Sequence, residues 1–250
     1  MAKRIFWTII LVISISAIGF AVFNIAMNYW GGNDNQEFIE ETSIGIASKT
    51  TGKNKVENHN INWKKLKKLN SDVYAWIYVP DTKVDYAIVQ PSKKEDDLFY
   101  LKRNLKKKYE FSGSIFSEKI NSKSFKDPVT VLYGHNMLNG SMFATLHKFE
   151  DPTFFKKHKY FYIYKPGHKL TYKVYSAYTY DDRHIMNSFD FDQAKDVAKY
   201  QKSTLKPKSM TKNVRKVKLG PDSSIVTLST CTSGGGETRY LVQGLLVKSE

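Results

Sequence analysis

Only one cysteine, Cys231, occurs in 250 residues. A lone thiol closes no disulfide within its own chain, and a single Cys without a His cluster at ligand spacing is not a zinc site. Nothing in the chain calls for a metal or a cofactor. Acidic residues are also scarce: 24 Asp and Glu stand against 39 Lys and Arg, a formal net charge of +15. No internal repeat is present. What the chain does have is aromatic material, with 16 Tyr and 15 Phe. That suffices for one sizeable core and is not the composition of a disordered chain.

Charge is missing altogether from Ile5 to Tyr29, behind Met1-Ala2-Lys3-Arg4. A helix of that run crosses ~30 Å of hydrocarbon. Trp7 at one end and Tyr29 and Trp30 at the other suit the two interfaces. A cleavable signal peptide has a shorter apolar region, ~7–15 residues, and a small-residue cleavage site. Asn28-Tyr29-Trp30 is a poor one, so an uncleaved anchor is expected. Lys3 and Arg4 then stay in the cytoplasm and the rest of the chain lies outside the cell. The expected division is 1–30 as cytoplasmic tip and transmembrane anchor, 31–58 as a polar linker, and 59–250 as the folded domain. Outside the cell paired cysteines become disulfides. One unpaired Cys there is either buried and inert or a reactive thiol.

Along the exported part, a helix is expected over 60–69, with Trp63, Leu66 and Leu69 on one face and lysines on the other. Strands are expected at 73–79, 84–89, 113–116, 129–133, 160–164 and 169–180. Short helices are expected at 141–149 and 151–158, with Ser141 and Asp151 as caps. A longer one is expected over 191–205, with Ala194, Val197, Ala198 and Leu205 on its apolar side. Many short strands with helices inserted between them point to a closed or nearly closed barrel rather than βαβ units.

Ser224 to Thr230 alternates β-branched or apolar residues with small polar ones, reads as a strand, and ends on Cys231. Thr232-Ser233-Gly234-Gly235-Gly236 cannot continue it. Arg239 opens the next strand, so a hairpin would bring thiol and guanidinium to one sheet edge. A lone Cys is often only a packing residue, yet a strand end beside a Gly-rich loop favours reactivity. A thiol nucleophile takes a His as partner. His59 lies in the linker region, His147 and His158 are expected to be solvated, and His168 and His184 fall in a turn and a loop. His135 follows an apolar strand and a Gly, as Cys231 ends one, and leads the six candidates. Arg239 alone reads more often as a surface cation, since strand-end Arg is common, but its offset from Cys231 suits a donor to a developing oxyanion.

These residues resemble a family. Thr227-Leu228-Ser229-Thr230-Cys231 followed by Arg239 is similar to the sortase signature. Tyr133-Gly134-His135-Asn136-Met137 with Gly140-Ser141-Met142-Phe143 resembles the histidine segment of class B sortases. Trp76 to Thr82, Asp85 to Gln90, Phe99-Tyr100-Leu101, Gly113 to Phe116 and the helix inserted after Phe191 agree. The resemblance covers about Ile61 to Val247. It implies a mainly β fold, a closed eight-stranded sortase-type barrel with inserted and N-terminal helices behind one transmembrane helix. It implies a cysteine transpeptidase that cleaves a sorting signal after Thr through a thioacyl-enzyme. Cys231 is then the nucleophile, His135 the general acid and base, and Arg239 the oxyanion or substrate-positioning residue, helped by a backbone N–H near Thr232. Ser229, Thr230, Thr232, Ser188 and Asp97 are the substrate-binding candidates. At Asp97 the sequence departs from the family, where Asn is common. The implied partners are exported proteins bearing sorting signals, and peptidoglycan or its lipid-linked precursor as the amine acceptor.

Three other readings stay on the table. A class B-like pilin polymerase would share every motif. A papain-like hydrolase places Cys before His, the reverse of the order here. A non-catalytic anchored scaffold would keep its function without Cys231. The basic charge alone would suit nucleic acid, but an exported domain meets teichoic acids and anionic lipid headgroups first, so no nucleic-acid partner is expected.

Overall fold

The computed structural model describes residues 2–30, 61–232 and 237–250. The expected linker, His59 and the Gly-rich run 233–236 lie outside the described residues. Helix α1 (Ala2–Trp30) carries Trp7, Ile13, Ile18 and Phe23 exposed. Its stretch Lys3–Met27 has a mean hydropathy of 2.5, and among the described residues it is the one helix long and apolar enough to cross a membrane. Apolar side chains exposed all round a helix need a surrounding other than water.

Helix α2 (Trp63–Leu69) starts where the Asn62 side chain accepts from the Lys65 N–H, and ends where the Asn70 N–H bonds the Leu66 carbonyl. Leu66 is fully buried while Lys64, Lys65, Lys67 and Lys68 face solvent, as the period of the apolar residues requires.

The strands are β1 (Val73–Tyr78), β2 (Asp85–Val89), β3 (Ile115–Phe116), β4 (Val129–Tyr133), β5 (Tyr160–Lys165), β6 (His168–Asp181), β7 (Lys212–Val214), β8 (Ile225–Cys231) and β9 (Thr238–Ser249). Their order is β5-β1-β2-β3-β4-β8-β9-β6, and β6 pairs back onto β5, so eight strands close a barrel. β2–β3 and β4–β8 are parallel; the other pairs are antiparallel. One edge of β6 lies along β9. Its other edge closes on β5 through residues 168–173 and carries β7 on residues 176–178. Lys212-Asn213-Val214 has no buried residue, so no alternation marked it as a strand in the sequence.

Period-two alternation sorts the strand residues into two cores. Trp76, Phe116, Leu228, Val242, Phe161 and Tyr172 fill the barrel interior. Val129, Val131, Ile225 and Leu241 point outward, under the short helix α4 (Ile185–Ser188) and helix α5 (Ala194–Leu205), separated from the barrel contents. The buried side of α5 is Val197, Tyr200, Gln201 and Thr204, whereas Ala194 and Ala198 are exposed, contrary to the expected face. The reason is polar. The sheet offers Thr227 and Gln243 here, and Tyr200 meets them: its hydroxyl lies 2.8 Å from Thr227 Oγ1, which donates to Gln243 Oε1 at 2.7 Å. Buried polar groups need such partners, and a helix face of alanines would supply none.

The stretch 141–149 forms a tighter 3-10 turn over Ala144–Glu150, anchored by buried Leu146 and Phe149. Ser141 does not cap it; its hydroxyl donates to Asn139 Oδ1. Helix α3 (Pro152–Lys157) does start on Asp151, which accepts from the Thr153 N–H.

Candidate active site

Strand register builds the site. Tyr133 at the end of β4 sits opposite Ser229 of the parallel β8, and the Gly134 N–H donates to the Ser229 carbonyl at 3.1 Å. His135 follows directly, and there the chain leaves β8, its carbonyl accepting from the Phe143 N–H at 3.0 Å. The β8–β9 hairpin pairs Cys231 with Arg239, and β9–β6 pairs Arg239 with Tyr180. Cys231 and Arg239 thus face each other at the end of β8 and the start of β9, and the segment that carries His135 leaves β4 on the neighbouring side, so the three form a candidate row at one edge of the barrel. Cys231 and Arg239 share parity with Ile225 and Leu241, so they belong to the outer face of the barrel, beyond the cover of α5.

Gly134 sets the approach of this row. A Cβ there would stand 2.5 Å from Ile115 Cδ1 and 2.7 Å from Phe143 Cγ and Cδ2. Only a residue without a side chain lets β4 end so close to these two. His135 follows, half-buried, with Phe111 stacked on its ring at 5.7 Å and 30°. Its Nε2 donates to the Leu101 carbonyl at 2.9 Å, which leaves the lone pair of the neutral ring on Nδ1. Burial holds the His135 pKa below its ordinary value, and the charge of Lys102 adds to this, while the Leu101 carbonyl opposes it.

Cys231 is half-buried and unpaired. Arg239 is half-buried too, with Nη1 donating to the Thr238 carbonyl at 3.2 Å. Ser229 lies on the outer face two residues before the thiol and is buried. Thr230 alternates the other way. Its side chain is 2 % exposed and its hydroxyl sits inside, so only its backbone borders the outer face. Thr232 spends its N–H on the Thr238 carbonyl at 3.3 Å and its hydroxyl on that of Thr238 at 2.6 Å. The Thr232 N–H is thus held in a ladder bond; the expected oxyanion donor was a backbone N–H near Thr232, and the amides of 233–236 lie outside the described residues.

Two candidates stand apart from the row. Ser188 ends α4 with its hydroxyl on the His184 carbonyl, and lines a cavity beside Asp127, Pro128 and Val129, at the start of β4 rather than its end. Asp97 accepts from the Lys119 N–H at 2.8 Å and pairs with the Lys119 ammonium at 3.9 Å, so it fastens the segment that follows β3.

Sequence reading missed three histidines that are not solvated or idle. His147 places Nε2 3.0 Å from the Cys231 carbonyl and Nδ1 2.6 Å from Glu150 Oε1. The His158 side chain is 8 % exposed, stacks on Phe154 at 3.8 Å and lies 3.2 Å from Asp81. His184 caps α4, reaches buried Glu118 at 2.5 Å and stacks on Tyr133 at 6.3 Å. Burial and the neighbouring Glu118 push the Tyr133 phenol well up, so it stays neutral. His147 and Glu150 are three apart on one turn, which is a pairing signal, but only the tertiary fold sets the turn against Cys231. No cluster of three or more His, Cys, Asp or Glu able to hold a metal occurs among the described residues.

A closed eight-stranded barrel with a thiol, an imidazole and a guanidinium near one sheet edge is the arrangement that a cysteine transpeptidase uses. Residues 77–247 match the sortase domain, and the chain belongs to the sortase family. It is similar to Sortase B of Listeria monocytogenes, 29% identical over 230 residues, or 91% of each protein. It is similar to the crystal structure of Clostridium perfringens sortase B, at 34% identity and a TM-score of 0.65 over 74% of this chain and 99% of that one. A Streptococcus pyogenes class B sortase involved in pilus biogenesis is 30% identical, with a TM-score of 0.65, over 76% of this chain and 100% of that one. The fold and the transpeptidase class expected from the motifs hold, and the relatives place the chain in class B. Sortases act on sorting-signal substrates and a cell-wall amine, and the apolar α1 fits a membrane-anchored protein.

Proposed function

We propose that Cys231 is the nucleophile, His135 the general acid and base, and Arg239 the oxyanion donor. The observation that carries this is the row of the three at one barrel edge. The Cys231 thiolate attacks the carbonyl carbon of a Thr in the sorting signal, and the Arg239 guanidinium stabilises the oxyanion. His135, as imidazolium, gives its proton to the leaving amine as the C–N bond breaks. The thioacyl-enzyme then meets an amine, offered by peptidoglycan or its lipid-linked precursor. His135 takes a proton from that amine, the new amide forms, and the thiolate leaves. Imidazolium and thiolate must coexist, and burial of His135, which lowers its pKa, works against the imidazolium. The domain is proposed to lie outside the cell over residues 59–250, held by α1 with its N-terminus in the cytoplasm.

The test is to incubate the chain with a sorting-peptide library and a wall-like amine, and read cleavage and ligation by mass spectrometry. Cys231→Ala and Cys231→Ser are expected to abolish both while the fold stays intact. Turnover near wild type in either variant would overturn the covalent route and favour an anchored scaffold. The likeness to a sortase involved in pilus biogenesis supports a second reading, in which the acceptor amine is a Lys of another pilin subunit. Offering both amines in one reaction separates the two, because the products differ in mass.

A further inference from the structure

His147 touches a residue of, or next to, each member of the row. Its Nε2 lies 3.0 Å from the Cys231 carbonyl. The side-chain amide of Asn136, which follows His135, is 3.3 Å from the same nitrogen. Its ring stacks at 4.7 Å and 24° on Tyr240, which follows Arg239. The ring is 16 % exposed, and buried Leu146 and Phe149 of the same 3-10 turn hold it in place.

Hydrogen-bond accounting fixes what it does there. A peptide carbonyl only accepts, so the Nε2 contact needs a hydrogen on Nε2. Nδ1 faces the Glu150 carboxylate at 2.6 Å. The opposite tautomer would set a ring lone pair against the carbonyl oxygen. With its one hydrogen, Nε2 donates to the carbonyl; the Asn136 Nδ2, itself a donor, lies beside it at 3.3 Å and takes nothing from it. Glu150 orients the ring, and the ring orients the carbonyl of Cys231. That carbonyl shares a peptide plane with the Thr232 N–H, which bonds the Thr238 carbonyl at 3.3 Å. The peptide that follows the thiol is thereby clamped on both sides.

We propose that His147, oriented by Glu150, is a positioning residue of this sortase: it clamps the peptide after Cys231 and so fixes the thiol against His135 and Arg239. This rests on Cys231 being the nucleophile, a reading that Cys231→Ala tests separately. A nucleophile released from its clamp spends less time in the attack geometry, which lowers kcat while leaving substrate binding in place.

The full-length chain in detergent micelles provides two readouts. The first needs no turnover. Because Cys231 is the single cysteine, labelling with 1-13C-cysteine gives one carbonyl resonance. His147→Ala is expected to move it to the position of a carbonyl without its hydrogen bond, and His147→Gln to keep it near the wild-type position, since the Gln amide N–H can reach the same oxygen. The second is the kinetics on a peptide selected from the library. His147→Ala is expected to lower kcat about tenfold, the worth of one hydrogen bond, with KM within about twofold. His147→Gln is expected to recover most of that loss, and Glu150→Ala to fall between the two. An unchanged resonance and kcat in His147→Ala would overturn the proposal. So would equal impairment by Ala and Gln, which would leave only packing on Tyr240, or a loss confined to KM. If the Ala variant does not fold, the comparison of Gln with wild type decides. A Cys231→Ala variant that still turns over sinks the nucleophile assignment and leaves the carbonyl resonance as the measure of the clamp.

Discussion

Gly134→Ala probes how the barrel holds its catalytic edge. The added Cβ would lie 2.5 Å from Ile115 Cδ1 and 2.7 Å from the Phe143 ring. Ordinary carbon–carbon contacts are at ~3.5–4.0 Å, so something must move by about 1 Å. Ile115 and Phe143 are 1 % and 0 % exposed, so neither can swing into solvent. Overpacking of this kind costs about 1–3 kcal/mol, which in a domain of this size lowers Tm by roughly 2–4 °C per kcal/mol. The softer element is the end of β4, where Gly134 holds a single bond to Ser229, and it carries His135 with it. A displacement of ~1 Å at a catalytic group costs about 10² in rate. Thermal melts and single-turnover acylation of the purified chain measure the two effects. Ile115→Val removes one of the clashing carbons at a cost of about 0.5–1.5 kcal/mol alone, and in the double variant it is expected to return part of both losses, because residues in contact are not additive. A Gly134→Ala protein with wild-type Tm and acylation rate would refute the reasoning, as would strict additivity of the pair.

Arg239→Ala is expected to lower acylation by about 10²–10³, as for loss of an oxyanion donor, and Arg239→Lys to rescue only in part because a point charge lacks the planar fork; equal activity of Ala and wild type rules the role out. His135→Ala is expected to remove acylation, and an inactive His184→Ala or His168→Ala beside an active His135→Ala would move the assignment. Phe111→Ala opens the His135 ring to water, so its pKa is expected to rise toward the ordinary value of 6.5. Titration of the ring signals by NMR checks this, and a pKa that stays put or falls contradicts burial as the cause. The sign for stability follows: the neutral buried ring contributes fully above pH 6.5, and its contribution is lost as pH falls from there through the lowered folded value. Deleting Met1 to Trp30 is expected to give a soluble domain that still cleaves peptide yet fails to display substrates on the wall, since the anchor raises local concentration. A mature protein in the medium beginning near Trp30 would mean that the segment is a cleaved signal.

Local signals were enough for the apolar helix α1, most strands and the two motifs that resemble the sortase family. The uncharged run at 5–29 needs no tertiary context, because length and charge alone decide whether a helix suits a bilayer. Alternation marked β8, and Arg239 opening the next strand implied the hairpin that pairs it with Cys231. What the chain could not announce is whatever depends on the closing of the barrel. β7 is too short and polar to carry a pattern, and exists only because β6 outruns β5 and offers a free edge. The buried side of α5 follows Thr227 and Gln243 across the interface rather than its own alanines. Thr230 and Cys231 are neighbours in sequence, yet the pleat sends one inward and the other to the outer face. His147 reads as one more surface histidine until the fold sets it, from 84 residues away, against the carbonyl of the thiol-bearing residue. Sequence determines which side chains are present and which local periods they obey. Only the parallel pairing of β4 with β8, between residues 96 apart such as Val129 and Ile225, brings the segment that carries His135 beside the one that carries Cys231, because long-range register is set by the packing of the whole barrel and by nothing local.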